Sequence, residues 1–563
     1  MIVPTLCVGM QPVTLRVTVD AECPWRRYHA ERGNDQKPLT LALSRRERGL
    51  TVVSMRDTPA CEIESNSGFE KHGDRLPFPL APLGERAGVR GRLLTLIWQR
   101  RGLQSSPRLH GRSAPPMLTC SVHPLPYRAN PADYFVAIRN APGAVLLDSG
   151  RPSAERGRFD LLSAWPLEQL AVLPDESGSH FLQRLRATLS RLGEADLPAG
   201  CELPFAGGLI GYLSYDFGRH LENLPNQAKD DLQLPDARFG LYDWALISDH
   251  QAQTSQLVFH PSLADSEQQR LIRLFTQPVV SALIPFKLNQ PMTADLSADD
   301  YRQAFERIQQ YIQAGDCYQV NFAQRFRASC QGDPWLAYCK LREACPTPFS
   351  GFQSLADGGA VLSLSPERFV KVSQRQVETR PIKGTRPRGL TPAEDAANAA
   401  ELLASPKDRA ENLMIVDLLR NDLGRTCRIG SVRVPELFSL ESYPNVHHLV
   451  SSVTGELAED RDALDLIAGS FPGGSITGAP KIRAMQIIDE LEPTRRGLYC
   501  GSLLYLDVRG EMDSSIAIRS LLVKDGQVCC WGGGGIVADS DWQAEYQESI
   551  TKVRILLDTL QNL

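Results

Sequence analysis

One run of the chain, Glu378-Thr379-Arg380-Pro381-Ile382-Lys383-Gly384-Thr385-Arg386, carries more information than any other. Lys383 follows an apolar residue and precedes a Gly-Thr corner, and an inward-pointing lysine in such a setting needs an anionic or electrophilic partner. A lysine amine becomes a good nucleophile when desolvation or nearby cations lower its pKa, and Arg380 and Arg386 flank it. Lys383 is therefore a candidate nucleophile. The alternative is a surface lysine at a strand end beside a turn.

The composition is that of a large globular protein. A chain of 563 residues, 42% of them hydrophobic, can bury a substantial core and is expected to form more than one lobe. The net charge of −5 gives no general attraction for nucleic acid or an anionic membrane. The 13 cysteines include no CxxC pair, which favours reduced thiols. With no apolar run long enough for a membrane span and no secretory signal, the sequence predicts a cytoplasmic protein.

Three regions differ in composition. Residues 1–116 are arginine-rich without sustained periodicity, which predicts a disordered extension or a start codon assigned too far upstream, with Met117 as the functional start. Residues 117–280 form an N-terminal region and residues 290–563 a second one, joined by a proline-bearing connector.

Strand and helix patterns alternate after residue 117 without the regular repeat of a doubly wound sheet. Strands are predicted over 144–150, 207–216 and 317–322. Ser297 caps a predicted helix that ends at Gly315, and Ser540 with Gln543 forms a capping-box pattern for a helix over 541–560. The pattern indicates the α+β class.

Two acidic pairs occur at i, i+3 spacing, Asp408 with Glu411 and Glu545 with Glu548. On helices this spacing places both carboxylates of a pair on one face. If the two helices face each other, one carboxylate from each suits Mg²⁺, which prefers oxygen ligands. The alternative is two solvated faces, with Lys552 as a surface ion-pair partner of Glu548.

Glycine-rich segments supply candidate anion sites. Four glycines at 532–535 precede the second acidic helix, and the loop Phe471–Lys481 is a second such segment. Each segment alone is weak evidence for an anion site, because glycine runs are more often flexible loops. His448 lies in a strand context, and a buried Arg519 would need an anionic partner such as a carboxylate ligand.

Taken jointly, five blocks resemble the chorismate-utilising enzyme family, which includes the large subunits of anthranilate synthase and aminodeoxychorismate synthase, isochorismate synthases and salicylate synthases. The blocks are Ala314–Asn321, Ser365–Phe369, Glu411–Asp422, Thr477–Lys481 and the glycine run through Lys552. The resemblance extends from about Pro124 to the C-terminus. It implies a chorismate-binding fold similar to the anthranilate synthase large subunit, a two-lobed β-sheet sandwich with outer helices. Residues 117–280 then correspond to its N-terminal region and 290–563 to its catalytic domain.

The resemblance also implies the roles of individual residues. Glu411 and Glu548 hold Mg²⁺, supported by Asp408 and Glu545. The catalytic residues are Lys383, Glu367 as the proton carrier, and His448, which lines the ring with Thr477. The substrate carboxylates are gripped by Tyr499, Arg519, Gly533, Gly534, Gly535 and Lys552.

Two positions select a branch of the family. Anthranilate synthases carry alanine where this chain has Lys383, so the resemblance implies amination of chorismate at C4, through a covalent Lys383 intermediate, for 4-aminobenzoate and folate synthesis. Isochorismate and salicylate synthases carry a water-activating lysine where this chain has Gln319. Anthranilate synthase chemistry and a non-catalytic binding partner are the remaining alternatives.

The resemblance implies a partner and a possible second ligand. No cysteine lies in the Gly-x-Cys-x-Gly setting of a glutaminase nucleophile, which implies a separate glutamine amidotransferase subunit in a heterodimer. Ser149 ends a Leu-Leu-Asp-Ser segment where relatives bind tryptophan. Because the inhibited enzymes carry Leu-Leu-Glu-Ser there, feedback regulation is not expected.

Overall fold

The computed structural model describes residues 118–154, 157–277, 284–443 and 446–563, together with the backbone of four short strands nearer the N-terminus. The chain divides into two compact units, Met1–Arg108 and Leu109–Leu563. In the first unit β1 (Leu6–Val8) pairs antiparallel with β2 (Gln11–Val13), and β3 (Leu43–Arg45) with β4 (Leu50–Val52). Apart from these strands, the prediction made for residues 1–116 lies outside the described residues.

The second unit contains the other elements that the structure describes. Its strands are β5 (Leu118–Thr119), β6 (Ser121–Leu125), β7 (Val145–Asp148), β8 (Phe159–Ser163), β9 (Glu168–Ala171), β10 (Ala195–Asp196), β11 (Gly208–Leu213), β12 (Ala237–Tyr242), β13 (Trp244–Asp249), β14 (Thr254–Phe259), β15 (Lys287–Leu288), β16 (Thr293–Ala294), β17 (Gln319–Gln331), β18 (Phe349–Ser354), β19 (Ala360–Ser365), β20 (Arg368–Ser373), β21 (Gln376–Thr379), β22 (Ile382–Pro387), β23 (Arg433–Ser442), β24 (Val446–Glu456), β25 (Gly478–Ala479), β26 (Ser502–Asp507), β27 (Met512–Ser515), β28 (Ser520–Lys524) and β29 (Gln527–Ile536). Its helices are α1 (Ala132–Phe135), α2 (Gly178–Leu192), α3 (Gly218–Leu221), α4 (Asp265–Thr276), α5 (Ala298–Ala314), α6 (Pro334–Ala344), α7 (Pro392–Ala404), α8 (Pro406–Gly424), α9 (Ala463–Ser470), α10 (Lys481–Leu491) and α11 (Trp542–Gln561). Tyr215–Phe217 and Gly474–Ile476 are 3₁₀ turns.

Two large antiparallel sheets form the framework. The first has the strand order β22-β24-β21-β20-β27-β26-β11-β12-β9, with β23 also paired to β24. The second has the order β15-β17-β29-β28-β19-β18-β7-β8-β13-β14-β6, with β16 and β25 also paired to β17. Strands from 117–280 and from 290–563 occur in both sheets. The division of this unit into those two regions stays a prediction.

The sheets pack on each other through an apolar layer and carry helices outside it. Val145 and Leu161 of the second sheet share a core with Ile210 of the first. On the outer face of the second sheet, Leu341 of α6 and Leu556 of α11 belong to another buried cluster. Each such side chain contributes roughly 1.5–3 kcal/mol through burial. The structure therefore confirms an α+β sandwich with outer helices.

The predicted helix ends are partly confirmed. Ser297 and Asp300 form a reciprocal capping box on α5, and Gly315 ends that helix in the left-handed conformation at φ 81°. The capping box predicted for Ser540 and Gln543 is wrong. Asp541 is the N-cap of α11 and its carboxylate accepts from Ala544 N, which frees the Ser540 hydroxyl to donate to Glu545 Oε1 at 2.7 Å.

The predicted strands are found with shifted ends. The strand predicted over 144–150 is β7, and the one over 207–216 is β11 followed by a 3₁₀ turn. The strand predicted over 317–322 starts at Gln319 and continues to Gln331. All ten cysteines that the structure describes are free thiols. Among the described helices, none combines the length and apolar character needed to cross a bilayer.

Gly211 lies in the middle of the first sheet, where the neighbouring backbone packs closely against it. It pairs with Phe239 on one side and Leu504 on the other, and an added Cβ would lie 2.1 Å from the Arg238 carbonyl oxygen. We expect Gly211→Ala to lower the free energy of unfolding by about 1–3 kcal/mol, as overpacking does, measured by urea denaturation. Gly424→Ala is the control, because a Cβ there meets no atom within 4 Å. Equal stability of both variants would contradict this view of the sheet.

Candidate active site

Lys383 is placed by an irregularity in the first sheet. Strand β22 pairs with β24 through Ile382 with Val450 and through Thr385 with His448, and the register shifts between these pairs. Gly384 occupies the shift with φ +84°, and an added Cβ would lie 2.8 Å from a Leu402 methyl group. A bulge redirects a side chain relative to a regular strand. Glycine at 384 therefore decides where the neighbouring lysine points.

The amine of Lys383 lies among charged groups inside the protein. Its Nζ donates to the Ser475 carbonyl oxygen at 3.2 Å. Burial lowers the pKa of Lys383, and the positive charge of Lys552 acts in the same direction, whereas Glu367 and Glu411 oppose them. A lowered pKa increases the fraction of neutral, nucleophilic amine.

The flanking arginines do not cause this shift, contrary to the sequence-based expectation. Arg380 pairs with Glu441 at 2.7 Å, and Arg386 pairs with Asp408 at 3.0 Å. Because each guanidinium is neutralised by a carboxylate, desolvation takes the role that the sequence suggested for the two cations. The direction of the Lys383 pKa shift is as expected, and its main cause is different.

Glu367 lies between β19 and β20 and is 6% exposed. The Ser475 hydroxyl donates to its Oε1 at 2.8 Å. Burial raises the pKa of Glu367 to about 7, although Lys383, the Ser475 hydrogen bond and Lys552 all favour the ionised form. A carboxyl group with a pKa near neutrality can both give and take a proton at physiological pH, as a general acid–base requires.

The acidic pairs lie on helices, as their spacing predicted. Glu411 is on α8, and burial raises its pKa. Glu548 is on α11; Lys552, whose Nζ lies 2.6 Å from its Oε1, holds the Glu548 pKa below its usual value against the effect of burial. The charge of Glu548 acts on Glu411, and the Lys383 amine acts on both. The two helices thus bring one carboxylate each to the candidate nucleophile.

The second members of the pairs have other partners. Asp408 forms its ion pair with Arg386, and Glu545 accepts a hydrogen bond from Ser540. Burial raises the pKa of Glu545, and the charge of Glu548 adds to that effect. Glu545 therefore belongs to the same acidic cluster as Glu548. The supporting role of Asp408 stays a prediction.

The donor set can be compared with what a metal ion needs. Across the described part of the chain, no three His, Cys, Asp or Glu side chains converge into a group that could hold a metal. Mg²⁺ does not require such a cage, because one or two carboxylates with water and substrate oxygens complete its coordination. Glu411 and Glu548 supply two hard oxygen donors from two different helices. Their chemistry fits Mg²⁺ shared with a substrate carboxylate.

The glycine run forms the strand edge beside these carboxylates. Strand β28 pairs with β29 only as far as Cys530, so the following glycines have β17 on one side and, among the described strands, no neighbour on the other. An added Cβ at Gly534 would lie 3.0 Å from Glu545 Oε2 and 3.2 Å from Glu548 Oε1. Glycine therefore permits the carboxylates to approach the backbone. Lys552 donates to the Gly533 carbonyl oxygen at 3.0 Å on this open edge.

Gln319 lies at the start of β17 and is buried. An added Cβ at Gly535 would lie 2.8 Å from its Nε2, which has no hydrogen-bond partner in the described protein. The position linked by resemblance to water activation thus carries an amide donor beside the glycine run.

Arg519 and His448 line a further part of the site. Among the described residues no carboxylate pairs with Arg519, whose Nη1 contacts the Cys345 sulfur at 3.7 Å. A guanidinium without an anionic partner is suited to bind a ligand carboxylate. Burial, with the Arg519 charge, lowers the pKa of His448 to about 4, and a hydrogen bond of 2.8 Å joins its Nδ1 to Thr385. His448 is therefore a neutral imidazole at pH 7.

Thr477 and Tyr499 are buried beside a charged pair that the sequence analysis missed. The Thr477 hydroxyl donates to the Gly473 carbonyl oxygen at 3.1 Å, and Tyr499 stacks on Trp531 with ring centroids 6.0 Å apart. Arg496 donates to Ile476 and to Asn321 and pairs with Glu492. Both charged residues lie in the charge-rich run Glu490–Arg496, to which the sequence analysis assigned no role.

Ser475 is a third residue that the sequence analysis did not select. It lies in the quoted loop Phe471–Lys481, where Thr477 was chosen instead. Its hydroxyl contacts Glu367 and its carbonyl contacts Lys383. A serine in a glycine-rich loop carries no distinguishing signal in a single sequence.

A separate cavity of about 690 Å³ lies between the two sheets. Leu147 and Phe159 of the second sheet and Tyr505 of the first are among its lining residues. Ser149 is not among its lining residues, and its hydroxyl and backbone N–H both donate to Asp160 Oδ1 at 2.7 Å. Tryptophan binding at Ser149 stays a prediction.

Several groups of the site are suited to bind a small anion with several acidic oxygens. Arg519 and Lys552 supply cations, the open edge of β29 supplies backbone N–H groups, and Glu411 with Glu548 can share a divalent ion with a ligand carboxylate. A buried amine and a near-neutral carboxyl add covalent and acid–base chemistry. The fold and the site together define an enzyme that has an antiparallel sandwich fold and acts on a small carboxylate substrate.

Comparison with known proteins identifies the family. The chain belongs to the chorismate binding enzyme family, whose pattern matches residues 144–558. It is 47% identical over 458 residues to aminodeoxychorismate synthase component 1 of Klebsiella aerogenes, covering 79% of this chain and 100% of that protein. Anthranilate synthase component 1 of Mycolicibacterium smegmatis is 39% identical over 453 residues, 75% of this chain and 86% of that protein. The crystal structure of anthranilate synthase component I from Streptococcus pneumoniae aligns with a TM-score of 0.63 at 30% identity, covering 71% of this chain and 92% of that one.

The Glu367 carboxyl generates a pH-dependent stability prediction. Its folded-state pKa of about 7 exceeds the ordinary value of 4.5, so folding favours the protonated form. The corresponding stability is fully present below pH 4.5 and is lost as pH rises through 7, up to about 3 kcal/mol. We expect Glu367→Gln to match the wild type at pH 4.5 and to exceed its free energy of unfolding at pH 8.

Urea denaturation at both pH values measures this difference. The exposed Glu459→Gln is the matched control and should show the same difference from wild type at each pH. If the difference in free energy of unfolding between Glu367→Gln and the wild type is the same at both pH values, Glu367 is not buried as a neutral carboxyl group.

Proposed function

We propose that this chain is the chorismate-aminating component of an aminodeoxychorismate synthase. It converts chorismate and ammonia to 4-amino-4-deoxychorismate, a precursor of 4-aminobenzoate and folate. The observation that carries the proposal is the desolvated amine of Lys383, held by the same turn as Glu367. The 47% identity to a protein named aminodeoxychorismate synthase component 1, over its full length, supports this branch.

The residues divide the reaction into two displacements. The neutral Lys383 amine attacks C2 of the ring, the ring double bonds shift, and the C4 hydroxyl leaves as water after taking a proton from Glu367. Ammonia then attacks C4, the double bonds shift back, and the C2–N bond breaks. The ammonium formed when Lys383 attacks gives a proton to the ionised Glu367, which returns it to the lysine nitrogen as the C2–N bond breaks, so the lysine leaves as a neutral amine. The ammonium left at C4 then gives a proton to Glu367 and restores the acid. The sum is chorismate and ammonia giving aminodeoxychorismate and water.

Substrate binding rests on the groups around these two residues. Arg519, Lys552 and the free edge of the glycine run hold the two carboxylates, and neutral His448 borders the ring. Glu411 and Glu548, with Glu545 beside them, would hold Mg²⁺. When bound, Mg²⁺ supplies positive charge that neutralises the ring carboxylate and polarises the departing hydroxyl.

The ammonia is proposed to come from a glutamine amidotransferase subunit that binds this chain as a heterodimer. The designation "component 1" of the relatives supports a multi-subunit enzyme. The free thiols of the described cysteines agree with a reducing cytoplasm, where we place the protein.

Product identification tests the branch. Purified protein with chorismate, Mg²⁺ and an ammonium salt at mildly alkaline pH should form a product that retains the enolpyruvyl group and carries nitrogen at C4, by mass spectrometry and NMR. Lys383→Ala should lower ammonia-dependent turnover by more than about 100-fold, since covalent catalysis is lost, and should retain chorismate binding by calorimetry. The exposed Lys340→Ala is the control. Anthranilate with pyruvate as products would place the chain in the other branch.

The metal proposal has its own test. Calorimetric titration of Mg²⁺ in the presence of chorismate should show at least about tenfold weaker binding for Glu411→Gln and for Glu548→Gln, because each removes a charged oxygen ligand. Asp417→Asn, on the exposed face of α8, should bind like the wild type. Unchanged Mg²⁺ binding in both glutamine variants would exclude the carboxylate pair as the metal site.

A further inference from the structure

One residue of the 471–481 loop touches both reacting groups. The Ser475 hydroxyl donates to Glu367 Oε1 at 2.8 Å, and the Ser475 carbonyl oxygen accepts from Lys383 Nζ at 3.2 Å. Ser475 is itself only 5% exposed. Within the described contacts, no direct ion pair within 4.0 Å joins Lys383 to Glu367. The serine therefore contacts the acid through its side chain and the amine through its backbone.

The serine hydroxyl determines which carboxyl oxygen carries the proton. Because Oε1 of Glu367 accepts the hydroxyl hydrogen, the proton of the neutral acid belongs on Oε2. No hydrogen bond from the described protein reaches Oε2. This oxygen is therefore left to give its proton to a substrate.

The carbonyl of the same residue restricts the amine. A neutral lysine amine has two N–H groups and one lone pair, and a hydrogen bond from one N–H to the Ser475 carbonyl limits rotation about the last carbon–nitrogen bond. The lone pair is thereby confined to a smaller range of directions. Reactions of positioned groups gain rate when such freedom is removed before the reaction.

The turn that carries Ser475 is itself fixed. Gly474–Ile476 is a 3₁₀ turn whose last carbonyl oxygen accepts from Arg496 Nη1 at 3.1 Å. The Thr477 hydroxyl closes the turn onto the Gly473 carbonyl oxygen. Since Arg496 is buried and paired with Glu492, the serine is held against β17.

We propose that Ser475 is a positioning residue for the amination: its hydroxyl keeps the proton of Glu367 on the oxygen facing the substrate, and its carbonyl orients the Lys383 amine toward the ring. This inference rests on the proposed function, since it assigns roles within that reaction. The contacts of Ser475 are with Lys383 and Glu367 and not with the groups proposed to bind the substrate carboxylates. Its loss should therefore affect turnover more than substrate affinity.

The charges around Glu367 define the expected pH effect. Lys383 and Lys552 favour its ionised form, as does the Ser475 hydrogen bond, while Cys500 lies near enough for its thiol to be influenced by the Glu367 charge. Removing the hydroxyl removes a bond that favours ionisation, so the pKa of Glu367 rises. Because the protonated acid is the active form, kcat/KM falls with pH above this pKa. The falling limb should move to higher pH in Ser475→Ala.

The decisive experiment compares three variants of the full chain with chorismate, Mg²⁺ and ammonium. Ser475→Ala should lower kcat about 10–100-fold, leave KM for chorismate within about threefold, and shift the falling limb upward by about one pH unit. Ser475→Thr retains a hydroxyl and should return the limb to its wild-type position and restore most of kcat. Ser354→Ala is the control, because among the described residues the Ser354 hydroxyl bonds to the Arg139 carbonyl oxygen and to no other group. This variant should change neither kcat nor the position of the limb.

A second measurement does not depend on catalysis. Infrared titration of the protonated carboxyl band without substrate, with Glu367→Gln to identify the band, should show a higher pKa for Glu367 in Ser475→Ala than in wild type or Ser475→Thr. A wild type that forms no aminodeoxychorismate defeats the proposed function, while the infrared titration still reports on the Ser475–Glu367 bond. The role of Ser475 is overturned if Ser475→Ala leaves both the falling limb of kcat/KM and the infrared pKa of Glu367 unchanged. It is also overturned if Ser475→Thr shows the same changes as Ser475→Ala in both measurements.

Discussion

The buried pair of Glu492 and Arg496 is the interaction on which the site depends. Arg496 is 1% exposed, and its guanidinium donates to both Glu492 oxygens and to the carbonyl oxygens of Ile476 and Asn321. Glu492 in turn accepts from the Ala323 backbone N–H at 2.9 Å. Two desolvated charges are tolerable here because each is paired and hydrogen-bonded. The pair joins α10 and the segment after it to β17 and to the loop that carries Ser475 and Thr477. Strand β17 then fixes the glycine run, since Asn321 pairs with Gly535.

The reactive pair shows the opposite effect, in which burial disfavours the charged form of each residue. Two states of Lys383 and Glu367 hold the same total number of protons. In one the residues form an ion pair, and in the other a neutral amine lies beside a neutral acid. Low polarity disfavours both charges, so desolvation lowers the pKa of the lysine and raises that of the glutamate. The neutral combination is the one that can attack and protonate a substrate.

The sequence predicted the parts of the fold and site that have a local signature. The capping box of Ser297 and the left-handed Gly315 are contacts within a few residues, and both are present. The prediction that both acidic pairs lie on helices is confirmed, because i, i+3 spacing can be recognised within a single helix. The cap of α11 was assigned to the wrong residue, since Ser540 and Asp541 are both good caps and only the position of Glu545 decides between them. Glu492 and Arg496 could not be found, because their burial depends on β17, which is distant in the chain.

The pKa of Lys383 also shows that contacts between distant parts of the chain cannot be predicted from sequence alone. Charge near a residue in sequence is a poor guide to the field at its side chain, because ion pairs cancel it. Arg380 and Arg386 lie three residues to either side of Lys383, and both are paired with carboxylates. Lys552, which does lower the pKa of Lys383, is far away in sequence and reaches the site from α11. Its own pairing with Glu548 ties the amine of Lys383 to the acidic cluster. A divalent ion held by Glu411 and Glu548 would therefore act on the nucleophile through the same carboxylates that now oppose its loss of a proton, and would favour the neutral amine further.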